Sequence, residues 1–147
     1  MNREWKEEYN EMLREACAGR KNSYSPYSHF AVGAALKTKD GKIFKGCNVE
    51  NSMYGAAICA ERSALLSAIS NGYRKFESIL IVGNKDNEKG STICPPCAFC
   101  RQTLSEFVDM DKFLVILPKT DNNNNLLDYK IYTMAVLYPH SFNSSYL

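Results

Sequence analysis

Residues 59–62 read Cys-Ala-Glu-Arg, and residues 95–100 read Pro-Pro-Cys-Ala-Phe-Cys. Together they offer three thiols, a carboxylate and a guanidinium. Cys97 and Cys100 are three apart, so in the first turn of a helix both point to one side. A helix N-terminus favours thiolate over thiol through its dipole and free N–H groups. Zinc held by three protein ligands keeps a fourth position for water, whereas a closed structural site uses four. Water in such a site has a pKa of about 7. Glu61 stands two residues from Cys59, close enough to exchange a proton with that water without ligating the metal. Three thiolates on a divalent cation leave one net negative charge, and Arg62 could donate N–H bonds to the sulfurs and draw some of it away.

Each residue also has a plainer reading. Cys59 alone is a small buried hydrophobe. Glu61 and Arg62 alone are a solvated pair of little energetic weight. Cys97-x-x-Cys100 alone could be a redox pair. Cys17 and Cys47 are expected to be inert and buried, and Cys94 to sit beside the site out of phase with the pair. His29 and His140 are expected to make structural hydrogen bonds. What favours metal chemistry is the combination.

The elements that must carry these groups follow from periodicity. Trp5, Tyr9, Met12, Leu13 and Ala16 share a helical face over residues 3–18, with Gly19 as a stop. "FAVGAALKT" and "KIFKGCN" read as strands of a hairpin turning at Lys39-Asp40-Gly41-Lys42. A loop, "VENSMYGAA", leads into a helix over about 59–71, with Ala60, Ala64, Leu65, Ala68 and Ile69 apolar. "ESILIVGN" and "FLVIL" have the continuous apolar character of strands buried on both faces. Between them a helix over 97–107 can begin near Pro96, with Leu104, Phe107 and Val108 inward. "PKTDNNNNLLD" reads as a polar loop, and "KIYTMAVLYPHSF" as a strand residue or two, then a short helix ended by Pro139. A hairpin followed by strand–helix–strand crossovers predicts a mixed sheet with helices on both faces. Cys59 and Cys97 then open helices that each follow a strand, where open α/β sheets build their sites.

Composition narrows the class. At 147 residues the chain suits one domain, 1–147, with one core. Six cysteines could form three disulfides, but a charged N-terminal stretch without the apolar core of a signal peptide predicts a cytoplasmic protein. In a reducing compartment clustered cysteines favour metal or redox chemistry. No apolar run approaches the ~18 residues of a membrane span. The net charge is +2 and the basic residues are scattered, which argues against a nucleic-acid partner.

Cys59-Ala60-Glu61 followed by Pro96-Cys97-x-x-Cys100 resembles the signature of zinc-dependent nucleoside deaminases. "YSPYSHFAVGAAL", "GCNVENSMY", "ICAERSA", "CRQTLSEF" and "LYPHSF" resemble, in order, the small homotetrameric cytidine deaminases. The resemblance implies a three-layer α/β/α sandwich with a mixed five-stranded sheet and one zinc per subunit on Cys59, Cys97 and Cys100. It implies Glu61 as acid and base, and hydrolysis of cytidine and deoxycytidine to uridine and deoxyuridine plus ammonia, a step of pyrimidine salvage. It places Asn48 and Glu50 on the ribose and Phe30 against the nucleoside. Tyr54 falls near the sugar at a subunit boundary, the Ala60 N–H at O2 of the base, and Phe142 over the base of a neighbouring subunit. Members acting on nucleic acid or deoxycytidylate tend to carry His where this chain has Cys59. Two rivals remain: deamination of another cytosine compound such as blasticidin S, and a non-catalytic zinc module. The chain departs from the pattern at Pro95, at Ala98-Phe99 in place of Gly-Ala, after Tyr54, where Pro is usual, and at Leu137-Tyr138-Pro139. Phe99 is expected to need an apolar pocket.

Overall fold

The computed structural model describes residues 3–147; the first two residues of the charged N-terminal stretch lie outside it. Four helices and five strands follow in the order α1 (Glu8–Arg20), β1 (Phe30–Thr38), β2 (Ile43–Cys47), α2 (Ala60–Ser70), β3 (Phe76–Lys85), α3 (Ala98–Ser105), β4 (Leu114–Thr120), β5 (Leu126–Thr133) and α4 (Met134–Leu137). The strands form one sheet in the order β2-β1-β3-β4-β5. β1 runs antiparallel to β2 and β3, β3 parallel to β4, and β4 antiparallel to β5. The sheet is therefore mixed and five-stranded. Among the described residues no helix is long and apolar enough to cross a membrane.

Residue parity separates the two faces. Ala34, Leu36, Ile79, Ile81, Val115 and Leu117 pack with Ala60, Ala64, Leu65 and Ala68 of α2 and Leu104 of α3. Ala35, Leu80, Val82 and Ile116 point the other way, onto Tyr9, Met12, Leu13 and Ala16 of α1. Successive side chains of a strand alternate between faces, so continuous apolar runs in β3 and β4 serve both layers. The three-layer α/β/α sandwich follows.

Two glycines let the layers close. A Cβ on Gly33 would lie 2.0 Å from the Ala16 carbonyl oxygen. A Cβ on Gly46 would lie 2.5 Å from both the Ala60 carbonyl oxygen and the Ala64 nitrogen. Backbone thus rests on backbone on both faces, and the start of α2 is pressed directly onto β2.

Several expected boundaries move. α1 begins at Glu8, and the chain at Trp5 is tied to β5 instead. The Trp5 N–H donates to the Tyr129 hydroxyl at 3.1 Å, and its ring lies 5.5 Å from both Tyr9 and Tyr129. Gly19 does not stop the helix. It sits in the last turn, where a Cβ would meet the Gly46 carbonyl oxygen at 2.7 Å. α3 starts at Ala98 with Cys97 as N-cap, not at Pro96, and ends at Ser105. The largest error lies in "PKTDNNNNLLD". β4 runs on through Pro118 to Thr120, and β5 already begins at Leu126. β3 pairs with β4 only at Leu114–Ile116, so at Pro118 that side of β4 needs no N–H. Only 121–125 turn, with the Asn123 and Asn125 N–H groups donating to Asp121 Oδ1 at 2.8 and 2.9 Å. The closing strand therefore has eight residues, not one or two.

Gly46→Ala should destabilise the protein by about 1–3 kcal/mol, the usual range for overpacking, because rigid backbone must move. Gly55, whose added Cβ meets nothing within 4 Å, gives the matched control in Gly55→Ala. Urea denaturation of both variants checks this; equal midpoints would refute the close-approach argument.

Candidate active site

Cys59 and Cys97 are both N-caps in extended conformation, the first of α2 and the second of α3. Cys100 lies one turn into α3 and is buried. Their sulfurs meet: Cys59 Sγ is 3.6 Å from Cys97 Sγ, and Cys97 Sγ is 3.6 Å from Cys100 Sγ. All three ligand atoms lie within 4.8 Å of one another. A tetrahedral zinc with Zn–S bonds of about 2.3 Å needs sulfurs about 3.8 Å apart, close to the two 3.6 Å separations here, so the donor set fits that ion. Three ligands leave one tetrahedral position for a further group.

The charges here are strongly coupled. Cys100 donates to Cys59 and so holds the Cys59 thiol well below its ordinary range, with Arg62 and Cys97 adding to the effect. The same bond, together with burial and Glu61, pushes Cys100 up. A cation on the three sulfurs would take the place of that shared proton. Glu61 is 4% exposed, and burial raises its carboxyl above the usual range, with the Cys59 charge adding to the effect. It is therefore a proton-holding group beside the sulfurs. Burial also pushes Cys94 up to about 12, with Glu61 and Cys59 contributing, so it stays a thiol.

Arg62 reaches back over the N-terminus of its own helix. Its Nη2 donates to the Ala57 carbonyl at 3.2 Å and to Cys59 Sγ at 3.7 Å. Phe99 finds no apolar pocket, contrary to expectation: it is 73% exposed, and its ring lies 5.4 Å from Arg62 Cζ.

The segment 48–50 is tied to the start of α2 by paired backbone bonds between Val49 and Ile58, both 2.9 Å. The side chains of Asn48 and Glu50 both turn to the 23–32 segment. Asn48 Oδ1 accepts from the Val32 N–H at 2.9 Å and from the Ser23 hydroxyl at 2.5 Å, and its Nδ2 donates to the Phe30 carbonyl at 2.8 Å. Asn48 is thus a brace between loop and sheet as well as a polar group near the helix start. Glu50 Oε1 accepts the Tyr27 and Ser28 N–H groups, each at 3.1 Å. Phe30 and Cys94 lie together over Gly83, where a Cβ would come within 3.0 Å of Phe30 Cε1 and 2.8 Å of Cys94 Sγ. Ala60 is fully buried at the first position of α2, where backbone N–H groups have no intrahelical partner.

Two expected residues face outward. Tyr54 is 81% exposed, edge-on to Tyr27 at 6.4 Å. Phe142 is 56% exposed and stacks on Tyr146 at 5.3 Å rather than on a group of this site. Cys17 and Cys47 are half-buried, not buried: Cys17 packs at the margin of the α1-side core and Cys47 is the last residue of β2. His29 makes its hydrogen bond, Nδ1 to Asp86 at 3.0 Å. A cleft of about 580 Å³ between the end of α1 and the 86–91 loop does not include Cys59, Cys97 or Cys100.

Sequence reasoning missed two residues that follow Cys100. Arg101 Nε donates to the Pro96 carbonyl at 2.8 Å and its Nη1 to the Leu137 carbonyl. Gln102 Nε2 donates to the Phe142 carbonyl at 3.1 Å, and its side-chain oxygen accepts from the Tyr138 hydroxyl. The thiol helix thereby carries the C-terminal segment. The signal was present: polar residues one and two places after a metal-facing Cys point away from the metal and need other partners.

Comparison with known proteins agrees with this geometry. The zinc-binding region of cytidine and deoxycytidylate deaminases matches residues 6–117. A probable cytidine deaminase of Dictyostelium discoideum is 42% identical over 117 residues, 80% of this chain and 75% of that protein. A cytidine deaminase of Sporosarcina psychrophila is 42% identical over 96 residues, 65% and 67% of the two chains. The crystal structure of cytidine deaminase from Burkholderia pseudomallei superposes with a TM-score of 0.77 at 40% identity, over 91% of this chain and 98% of that one. Two helix N-termini that gather three thiols beside a buried carboxyl are thus set in a matching sequence and a matching fold, and the chain belongs to the cytidine and deoxycytidylate deaminase family.

Proposed function

We propose that the protein hydrolyses cytidine and deoxycytidine to uridine and deoxyuridine with release of ammonia, using one zinc ion per chain on Cys59, Cys97 and Cys100. The observation that carries this reading is Glu61, buried and protonatable beside three converging sulfurs. A structural zinc site has no use for such a group. Zinc, when bound, supplies the Lewis acidity that makes water nucleophilic near neutral pH.

The chain's own groups do the rest. Glu61 accepts the proton of the attacking water, delivers it to N3 of the base, and then helps protonate the departing amino group. Burial raises its carboxyl above the usual range, which makes it the better proton acceptor between these transfers. The Ala60 N–H, at the positive end of α2, binds O2 of the base. Asn48 and Glu50 bind the ribose hydroxyls, and the ring of Phe30 packs against the nucleoside. The Pro95 carbonyl lies before the thiol pair, where it can accept a hydrogen bond from ammonia. Arg62 draws charge from Cys59 through its N–H contact.

The site of the single chain is open, with Tyr54 and Phe142 exposed. Exposed aromatic side chains beside a site are available for contact with another chain. In the proposed assembly four copies associate. Tyr54 lies at a boundary between copies, and Phe142 of one copy stacks on the base held by a neighbour. The free cysteines suit a reducing cytoplasm, and the reaction suits pyrimidine salvage.

Incubating the protein with cytidine should change its absorbance as cytosine becomes uracil. A chelator should abolish the change and added zinc restore it. No change with zinc-loaded protein would leave the non-catalytic zinc module, and faster turnover of blasticidin S would move the substrate. Glu61→Gln should keep fold and zinc while lowering kcat by about 10²- to 10⁴-fold; near-normal turnover would refute the assigned role. Cys97→Ser should lose zinc by metal analysis and lower stability. Light scattering should give about 66 kDa, four times the 16.6 kDa chain. Phe142→Ala should raise KM about tenfold without changing that mass, since base–aromatic stacking is worth about 1–3 kcal/mol.

A further inference from the structure

Phe99 is an aromatic residue where exposure gives it no packing reason to be. It stands in the first turn of α3, between Cys97 and Cys100, and 73% of its surface is accessible. The Arg62 guanidinium lies over its ring, with Cζ 5.4 Å from the ring centroid.

Arg62 makes few polar contacts. Both hydrogen bonds leave from Nη2, one to the Ala57 carbonyl and one to Cys59 Sγ. Nε is buried without a hydrogen-bond partner, and among the described residues no carboxylate forms an ion pair with Arg62. A planar group fixed through one terminal nitrogen can still swing about that end. A ring beneath the cation restricts this freedom, because the guanidinium gains from the π-system only while it stays over the ring. Phe99 approaches from the helix that also carries Cys97 and Cys100, so it ties the guanidinium to the same element as two of the sulfurs.

We infer that Phe99 is a positioning residue whose ring clamps the Arg62 guanidinium against Cys59 Sγ and so sets the charge that this sulfur presents to the metal. This rests on the zinc reading proposed above. An N–H on a thiolate withdraws charge from sulfur and leaves the metal a stronger Lewis acid. Without the ring Arg62 turns toward solvent, and Cys59 becomes the richer donor.

The test replaces zinc with cobalt(II) and reads the thiolate-to-cobalt charge-transfer absorption, which moves to longer wavelength as sulfur becomes electron-richer. Phe99→Ala and Phe99→Leu should shift the band to longer wavelength, while Phe99→Tyr should keep the original position. Phe99→Ala should also lower kcat about threefold to tenfold with KM unchanged, the scale expected for one cation–π contact. Arg62→Gln should shift the band the same way, and adding Phe99→Ala to it should shift it no further. An unshifted Phe99→Ala band would overturn the proposal, as would a band for Phe99→Leu at the original position. A double variant shifted beyond Arg62→Gln would also overturn it, by showing that Phe99 acts without Arg62. Should the original protein give no thiolate–cobalt band at all, the zinc reading itself falls, and this inference with it.

Discussion

Three sulfurs within 4.8 Å of one another, with a carboxyl alongside, cannot all carry charge unless something offsets it. Much of the molecule can be understood as that offset. Cys59 and Cys97 are N-caps, so the positive ends of α2 and α3 both face the cluster. Burial raises the Glu61 carboxyl above the usual range, so a proton that reaches it is readily taken up. Arg62 brings a full positive charge to Cys59. A divalent cation completes the balance, and the spacing of the sulfurs fits it.

Meeting that requirement constrains the sheet. Both helices must start over the same point, so α2 has to lie low on β2, and α3 has to cross between the parallel strands β3 and β4. Gly46 permits the first by letting Ala60 and Ala64 of α2 rest on the strand backbone. Gly33 allows α1 the same approach on the opposite face, which keeps the sheet clamped from both sides. The Val49–Ile58 backbone pair then brings the 48–50 segment to the start of α2. Asn48, spanning Ser23, Phe30 and Val32, locks the preceding loop onto the same edge.

What was legible in the sequence divides along a physical line. β1, its hairpin turn and the limits of α2 came from local periodicity, which the tertiary structure does not override. The sulfurs were legible because metal chemistry demands particular residue types at particular spacings. β5 was hidden because Asn-rich turn chemistry next to it suggested a long loop, and Pro118 argued against a strand. Both are compatible with a strand once β4 is seen to be unpaired toward β3 beyond Ile116. The start of α1 was misplaced because periodicity counts Trp5 as helical, while its N–H is taken by Tyr129, 124 residues away. Phe99 was misread for a similar reason. Composition asks for burial of a phenyl ring, whereas the structure supplies a cation.

Two of the half-buried arginines, Arg20 and Arg62, show how surroundings distinguish support from chemistry. Arg20 gives Nε to the Ala31 carbonyl and Nη2 to the carbonyls of Asn84, Lys85 and Glu88. These contacts pin α1 to β1, β3 and the loop beyond, and they touch no reactive group. Arg62 has a single carbonyl, a sulfur and an aromatic face, with Nε buried and unpaired. A buried donor without a partner costs about 1–3 kcal/mol. A residue kept only for architecture would be expected to settle into better bonds, as Arg20 has. Arg62 is held instead where its charge meets the Cys59 sulfur, and unsatisfied groups of this kind gather where a fold gives up stability for function.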